Sequence, residues 1–148
     1  MLDTYYKMLN LAPPTVERVE FIIRQLIKFT GETPEYVFIE NAIDSDGNQQ
    51  AMNVVLLSET TYQEGVISGA SHKFSYRPFH KDRWDDFDMV MIQEMQDMTF
   101  GDINQKSRIQ INLMKGDETY AWFSAAGLNC RELLDMVKKY FWPKRSTG

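Results

Sequence analysis

The stretch RIQINLMKGDETYAWFSA, residues 108–125, decides the fold prediction for this chain. Its first half places apolar residues at 109, 111 and 113 and polar ones at 110 and 112, the two-residue period of a half-buried strand. KGDE then forms a turn, and the aromatic run that follows alternates in the same way. The stretch therefore predicts an antiparallel hairpin, and around it we expect an α+β domain.

The segment NCRELLDMVKKYF, residues 129–141, predicts a helix directly after this hairpin. Asn129 is the expected N-cap, and Glu132, three residues later, completes a capping box. The helix should cover one end of the sheet and bury an apolar face made of Leu133, Leu134, Val137 and Phe141. We expect Cys130 to pack in the core as a small hydrophobic residue rather than to act as a nucleophile.

The N-terminal part of the chain predicts a second helix, over residues 15–30, after a lead-in over residues 1–14 that ends at Pro13-Pro14. Thr15 is the expected N-cap, and Gly31 is the expected end of the helix. Apolar residues recur at helical spacing, and Phe21, Ile22 and Phe29 widen this stripe.

Between the two helices, the chain has the period and residue types of short strands. Four β-rich runs, at about 36–39, 52–57, 62–67 and 73–79, are separated by turn residues such as Asp44-Ser45-Asp46-Gly47-Asn48. Residues 83–98 fit either a strand or a helix. We favour the strand, because short strands at regular spacing already surround it.

Composition and charge narrow the function classes. The chain has 148 residues, 43% of them hydrophobic, which suits one domain, here residues 15–142 with a basic tail at 143–148. A net charge of −5 argues against a nucleic-acid partner. A single cysteine and an N-terminus without the pattern of a secretory signal indicate a cytoplasmic protein.

The order of these elements resembles the pleckstrin-homology-like (PH-like) domains, in particular the GRAM and bacterial PH types, over about residues 35–142. The resemblance rests on the alternating strand, the KGDE turn, the aromatic strand and the closing helix. It implies about seven antiparallel strands in a bent sheet or near-barrel, capped by the C-terminal helix. Lipid-binding members use a basic first hairpin, whereas here that hairpin reads ENAIDSDGNQQ, residues 40–50.

Residues 80–88 hold the densest set of metal-type ligands, namely His80, Asp82, Asp85, Asp86 and Asp88. Hard cations accept such carboxylates, but a solvated acidic loop explains the same residues, and we favour that interpretation. We therefore expect no metal and no cofactor. The sequence also lacks a glycine loop for phosphate and a nucleophile motif, so we expect a protein that is not an enzyme.

The function that remains is a non-enzymatic protein-interaction module, with a protein as its partner. An edge strand and a groove beside the last helix are the expected docking places for an extended peptide. The candidate binding residues are Trp84, Trp142, Lys138 and Lys139, because aromatic and basic groups lie there near element ends. Membrane contact through the basic tail and self-association both stay open.

Two alternatives remain beside this function. An acidic, dimeric secretion chaperone has a similar size and charge and would fit a layout in which residues 83–98 are helical. It would bind an unfolded segment of its partner. A metal-dependent enzyme using His80 and its neighbouring aspartates is the other.

Overall fold

The computed structural model describes residues 2–43, 46, 49–58, 61–68, 71–78, 86–92 and 107–141. Its elements, in chain order, are α1 (Asp3–Leu9), α2 (Pro13–Thr30), β1 (Tyr36–Ile43), β2 (Gln49–Leu57), β3 (Thr61–Ser68), β4 (Ser71–Pro78), β5 (Asp86–Ile92), β6 (Arg108–Lys115), β7 (Glu118–Ala126), α3 (Asn129–Met136) and a π-helical segment (Val137–Phe141). The predicted α+β class, with its run of antiparallel strands between helices, is confirmed.

The strands of the described ranges form two antiparallel sheets. Sheet 1 has the order β1-β2-β3-β4, and sheet 2 has the order β5-β6-β7. The hairpin predicted over residues 108–124 is confirmed as β6 and β7, which pair from Arg108–Ala126 to Lys115–Glu118. The strand interpretation of residues 83–98 is also confirmed over Asp86–Ile92, where β5 pairs with β6.

Sheet 1 is the middle layer of the molecule, because both of its faces are buried. Alternate residues of β2 show this directly: Val54 and Leu56 pack against α1 and α2, whereas Val55 and Leu57 pack against sheet 2 and the C-terminal helix. The two-residue period of a strand places such neighbours on opposite faces. Near-continuous apolar sequence in β2 follows from this double burial.

Helix α2 crosses sheet 1 above Gly65 of β3. A Cβ atom at Gly65 would overlap Cγ2 of Ile22, so the absence of a side chain there allows the helix to approach the strand closely. Ile22 itself is fully buried. This contact sets the distance between α2 and the sheet next to strand β4.

The predicted start of α2 is wrong by two residues. The helix begins at Pro13, with Ala12 as N-cap and without a side-chain capping bond, and the N–H groups of Thr15 and Val16 both donate to the Ala12 carbonyl. Proline suits the first turn because it has no N–H to satisfy. The predicted end is confirmed, since Gly31 adopts φ +73° and donates to the Ile27 carbonyl at 2.7 Å.

The lead-in contains a helix that the sequence did not predict. Helix α1 buries Tyr6 and Leu9 against sheet 1, and the Tyr6 hydroxyl donates to Glu20 of α2 at 2.8 Å. A helix of seven residues spans only two turns, too few for a hydrophobic period to show. Packing against α2 and the sheet, rather than helix propensity, stabilises it.

The predicted capping box at the start of α3 is also wrong. Asn129 is the first residue of the helix, Leu128 occupies the N-cap position, and no side chain caps it. The Asn129 amide is instead buried against β1, and the Glu132 carboxylate accepts the Tyr36 hydroxyl at 2.9 Å. Tertiary hydrogen bonds inside the protein have displaced the local bonds that the sequence pattern indicated.

The predicted apolar face of the C-terminal helix is confirmed at three of its four residues. Leu133, Val137 and Phe141 are buried in the core between the sheets, and Leu134 is only partly buried at its margin. Cys130 is fully buried, as predicted. Its burial raises the pKa of the thiol to about 11, so the thiol stays protonated near neutral pH.

Candidate functional site

An open groove runs between helix α2 and strand β4. Gln25, Leu26 and Phe29 of α2 line one side, Phe74 and Ser75 of β4 line the other, and the cavity measures about 410 Å³. Leu26 is buried and forms the floor. Both aromatic walls are open to solvent, since Phe29 is 84% exposed and Phe74 is 42% exposed.

The exposure of Phe29 corrects the sequence interpretation of α2. Phe21 and Phe29 widened the apolar stripe of this helix, yet Phe21 is 39% exposed, and the buried face is formed by Val19, Ile22, Ile23 and Leu26. Residues four apart lie on one side of a helix, so Phe21, Gln25 and Phe29 form a second stripe beside the buried one. The sequence signal for this second stripe is that the apolar residues of α2 cover more of the helix surface than one buried face can hold.

The groove ends at the edge of sheet 1. Strand β4 pairs with β3 through residues 71–78, and among the described strands it has no other partner. Phe74 lies opposite Gly65 in this register, on the face that α2 covers. The groove therefore combines an apolar wall, an apolar floor and an adjacent strand edge.

Of the predicted binding residues, the structure describes only the two lysines, and neither is among the residues that line this groove. Trp84 and Trp142 lie outside the described residues. Lys138 and Lys139 are exposed on the π-helical segment, and Lys139 Nζ lies 5.3 Å from the centre of the Tyr140 ring. Tyr140 in turn stacks edge-to-face on Tyr36 at 5.8 Å, so Lys139 is placed over an aromatic pair beside the core.

A buried polar cluster lies where β1 meets β7. Glu40 is 2% exposed, and its carboxylate accepts hydrogen bonds from Ser124 Oγ at 3.0 Å and from Asn53 Nδ2 at 3.4 Å. Burial raises the pKa of Glu40 to about 7, although the two hydrogen bonds oppose the shift. The carboxyl thus changes its protonation near neutral pH.

Perturbed carboxyl groups occur at active sites, so this cluster is the second candidate. A cavity of about 240 Å³ lies nearby and includes Ser124, Gln110 and Arg108 in its lining, but not Glu40. The two hydrogen-bond partners of Glu40, Ser124 and Asn53, belong to adjacent strands of the protein itself. Of these two, only Ser124 lines the cavity, so the Glu40 carboxylate is separated from the cavity by the Ser124 hydroxyl. The arrangement suits a structural acid better than a general base, which must reach a substrate proton.

The predicted His80 cluster is not described: His80, Asp82 and Asp85 lie outside the described residues, as do the side chains of Asp86 and Asp88. Among the described side chains, no three His, Cys, Asp or Glu residues converge in a metal-like group. Nor does the described part of the chain hold a helix with the length and hydropathy needed to cross a membrane.

Comparisons of the chain with protein-family models, with curated proteins and with solved structures found no match.

Proposed function

We propose that this chain is a non-enzymatic protein-interaction module that binds an extended segment of a partner protein in the groove between α2 and β4. The observation that carries the proposal is the exposure of Phe29, 84%, beside an apolar floor and the edge of a sheet. Large exposed apolar side chains that cluster at a concave surface are typical of interaction sites.

Strand addition is the binding mode that this geometry supports. An extended segment alongside β4 would form main-chain hydrogen bonds to the strand edge, which supply affinity without sequence preference. Its alternate side chains would face the groove, because successive residues of a strand point to opposite faces. One bulky apolar side chain of the segment would then contact Phe29 and Phe74, and this contact would supply the specificity.

The scaffold that we propose for this module is PH-like. Within the described residues, seven antiparallel strands lie in sheets of four and three and are followed by a helix that packs between them, which supports this scaffold. The two N-terminal helices are an addition to that plan, and α2 supplies one wall of the groove. The buried, single Cys130 supports a cytoplasmic location as part of the same proposal.

The secretion-chaperone alternative requires a helix over residues 83–98, whereas Asp86–Ile92 form strand β5, so the interaction module is favoured over it. A metal-dependent enzyme would not need the groove at all. Loss of binding on mutation of the groove therefore separates the interaction functions from the enzymatic one.

The test is a selection of random 12-residue peptides on the protein, followed by measurement of their affinities. Phe29→Ala should weaken the selected peptides at least about tenfold, as expected for an aromatic anchor. Trp122→Ala is the matched control, because Trp122 is 53% exposed on sheet 2, away from the groove. Peptides that are insensitive to Phe29→Ala, or a selection without binders, would contradict the proposal.

A further inference from the structure

The groove between α2 and β4 has a basic rim, although the protein as a whole is acidic. Residues three and four apart on a helix are neighbours, so Arg18 and Arg24 flank Phe21, and Lys28 lies beside Gln25 in the stripe that ends at Phe29. Arg24 and Lys28 are exposed. Two acids accompany these three bases: Glu17 lies four residues before Phe21, and Glu20, which accepts the Tyr6 hydroxyl, lies four residues before Arg24.

Strand β4 carries the same sign of charge. Its sequence SHKFSYRP contains Lys73 and Arg77 and no acidic residue, and Lys73 is exposed. Lys73 lies opposite Val66 of β3, on the sheet face away from α2. The acid nearest in register is Glu64, which lies opposite Ser75 and accepts the Tyr62 hydroxyl at 2.9 Å.

We infer that the partner segment is acidic: an extended peptide with one bulky apolar residue for the groove and with Asp or Glu on either side of it. The inference rests on the proposed function and adds the chemistry of the partner. A strand beside β4 has its cross-strand neighbours within about 5.5 Å. One face of it would meet the basic rim of α2, and the other would meet Lys73.

The overall negative charge of the protein makes the basic residues beside the groove more selective for an acidic segment. At a net charge of −5, the protein repels an acidic segment everywhere except at a surface of opposite charge. Complementary charge of this kind sets register and excludes wrong partners more than it adds raw affinity. The groove would therefore reject basic segments that carry the same apolar residue.

The experiment uses three synthetic ten-residue peptides with one shared Phe-centred apolar core and with flanks of Glu, Gln or Lys. The Glu peptide should bind the full chain about tenfold more tightly than the Gln peptide, and this advantage should shrink as NaCl rises from 50 to 300 mM because salt screens exposed charges. The Lys peptide should not bind measurably.

Charge-reversal variants test which basic residues produce the preference for the Glu peptide. Lys28→Glu and Lys73→Glu should each weaken the Glu peptide several-fold and leave the Gln peptide unchanged, whereas Arg131→Glu, exposed on the C-terminal helix, should change neither. Equal binding of the Glu and Gln peptides, both lost in Phe29→Ala, would overturn the acidic preference and leave the groove intact. Binding that ignores Phe29→Ala would overturn the groove itself.

Lysine at a strand edge also prevents edges of identical chains from pairing. If this is the role of Lys73, Lys73→Ala will produce dimers in sedimentation experiments and will not weaken the Glu peptide. That outcome would overturn the part of the inference that rests on β4.

Discussion

The side-chain amide of Asn129 donates to the side-chain oxygen of Asn41 at 2.8 Å, and this bond joins the C-terminal helix to the seam between the two sheets. Asn41 in turn bonds both main-chain groups of Ala126, its Oδ1 accepting at 2.9 Å and its Nδ2 donating at 3.2 Å. A side-chain amide thus takes the place of a peptide group between β1 and β7, immediately after the bulge at Glu40/Asn41.

Two residues earlier in β1, the main-chain groups of Ile39 are also hydrogen-bonded by side chains. The Ile39 carbonyl accepts from Asn129 Nδ2 at 2.7 Å, and the Ile39 N–H donates to the Tyr5 hydroxyl at 2.9 Å. Tyr5 also donates to Asn129 Oδ1 at 2.7 Å. Burial raises the pKa of the Tyr5 hydroxyl, which therefore stays neutral and keeps both bonds.

Asn129→Ala should lower the free energy of unfolding by about 2–3 kcal/mol, because the Ile39 carbonyl and the Tyr5 hydroxyl lose partners inside the protein. Asn129→Asp should cost more, since it buries a charge and removes two donors. Urea denaturation measures both. Arg131→Ala, exposed on the same helix, is the control, and equal effects of Arg131→Ala and Asn129→Ala would contradict the role of this network.

Stability should fall as the pH rises from about 4.5 to about 7, because folding raises the pKa of Glu40 from 4.5 to about 7. In this window the folded protein holds a proton that the unfolded chain releases, so the stabilisation is complete below the window and is lost above it. The change from this group amounts to at most about 3 kcal/mol.

Glu40→Gln should flatten this pH dependence and keep the acceptor for Ser124. The measurement is urea denaturation at several pH values. Glu118→Gln is the control, because Glu118 is exposed at the start of β7, away from Ser124 and Glu40. An unchanged slope in Glu40→Gln would show that other groups produce the pH dependence.

Gly65→Ala should destabilise the protein by about 1–3 kcal/mol, because the new methyl group overlaps Cγ2 of Ile22 and the helix cannot retreat without losing contacts. Leucine has no Cγ2 branch on Cβ, so Ile22→Leu should relieve part of this cost. A double-mutant cycle of the two substitutions should show favourable coupling. Additive effects would contradict the close approach of α2 to β3.

Leu133→Asp should cost several kcal/mol, since Leu133 is fully buried between the sheets. Leu134 is only partly buried, so Leu134→Asp should cost clearly less. Thermal unfolding of both variants checks the order. If Leu134→Asp is the more damaging, Leu134 rather than Leu133 faces the core.

Vesicles that contain inositol phospholipids should not bind the protein tightly, because the first hairpin, residues 40–50, holds three acids and no base. Liposome sedimentation at low salt is the measurement, with vesicles of neutral lipid as the control. Headgroup-selective binding would contradict the prediction and would favour a lipid-binding function for the scaffold.

The sequence by itself determined the elements whose signal is local. Alternation over residues 108–124, turn residues in KGDE and the glycine at the end of α2 act on neighbouring residues, so the hairpin and the end of the helix could be predicted. The burial of Leu133 and Cys130 could be predicted for the same reason, since a helical period marks its own buried face.

Only the tertiary structure decided where contacts between distant residues replace the local hydrogen bonds and local packing that the sequence predicts. Asn129 left its capping role because buried partners on β1 and β7 were available, and α1 formed because the sheet offered a surface for Tyr6 and Leu9. Phe29 belongs to the predicted apolar stripe, yet it is exposed beside β4, because the face that α2 buries against the sheet is formed by Val19, Ile22, Ile23 and Leu26. The groove is therefore a property of how a helix and a strand edge are placed together, and no local pattern encodes that distance.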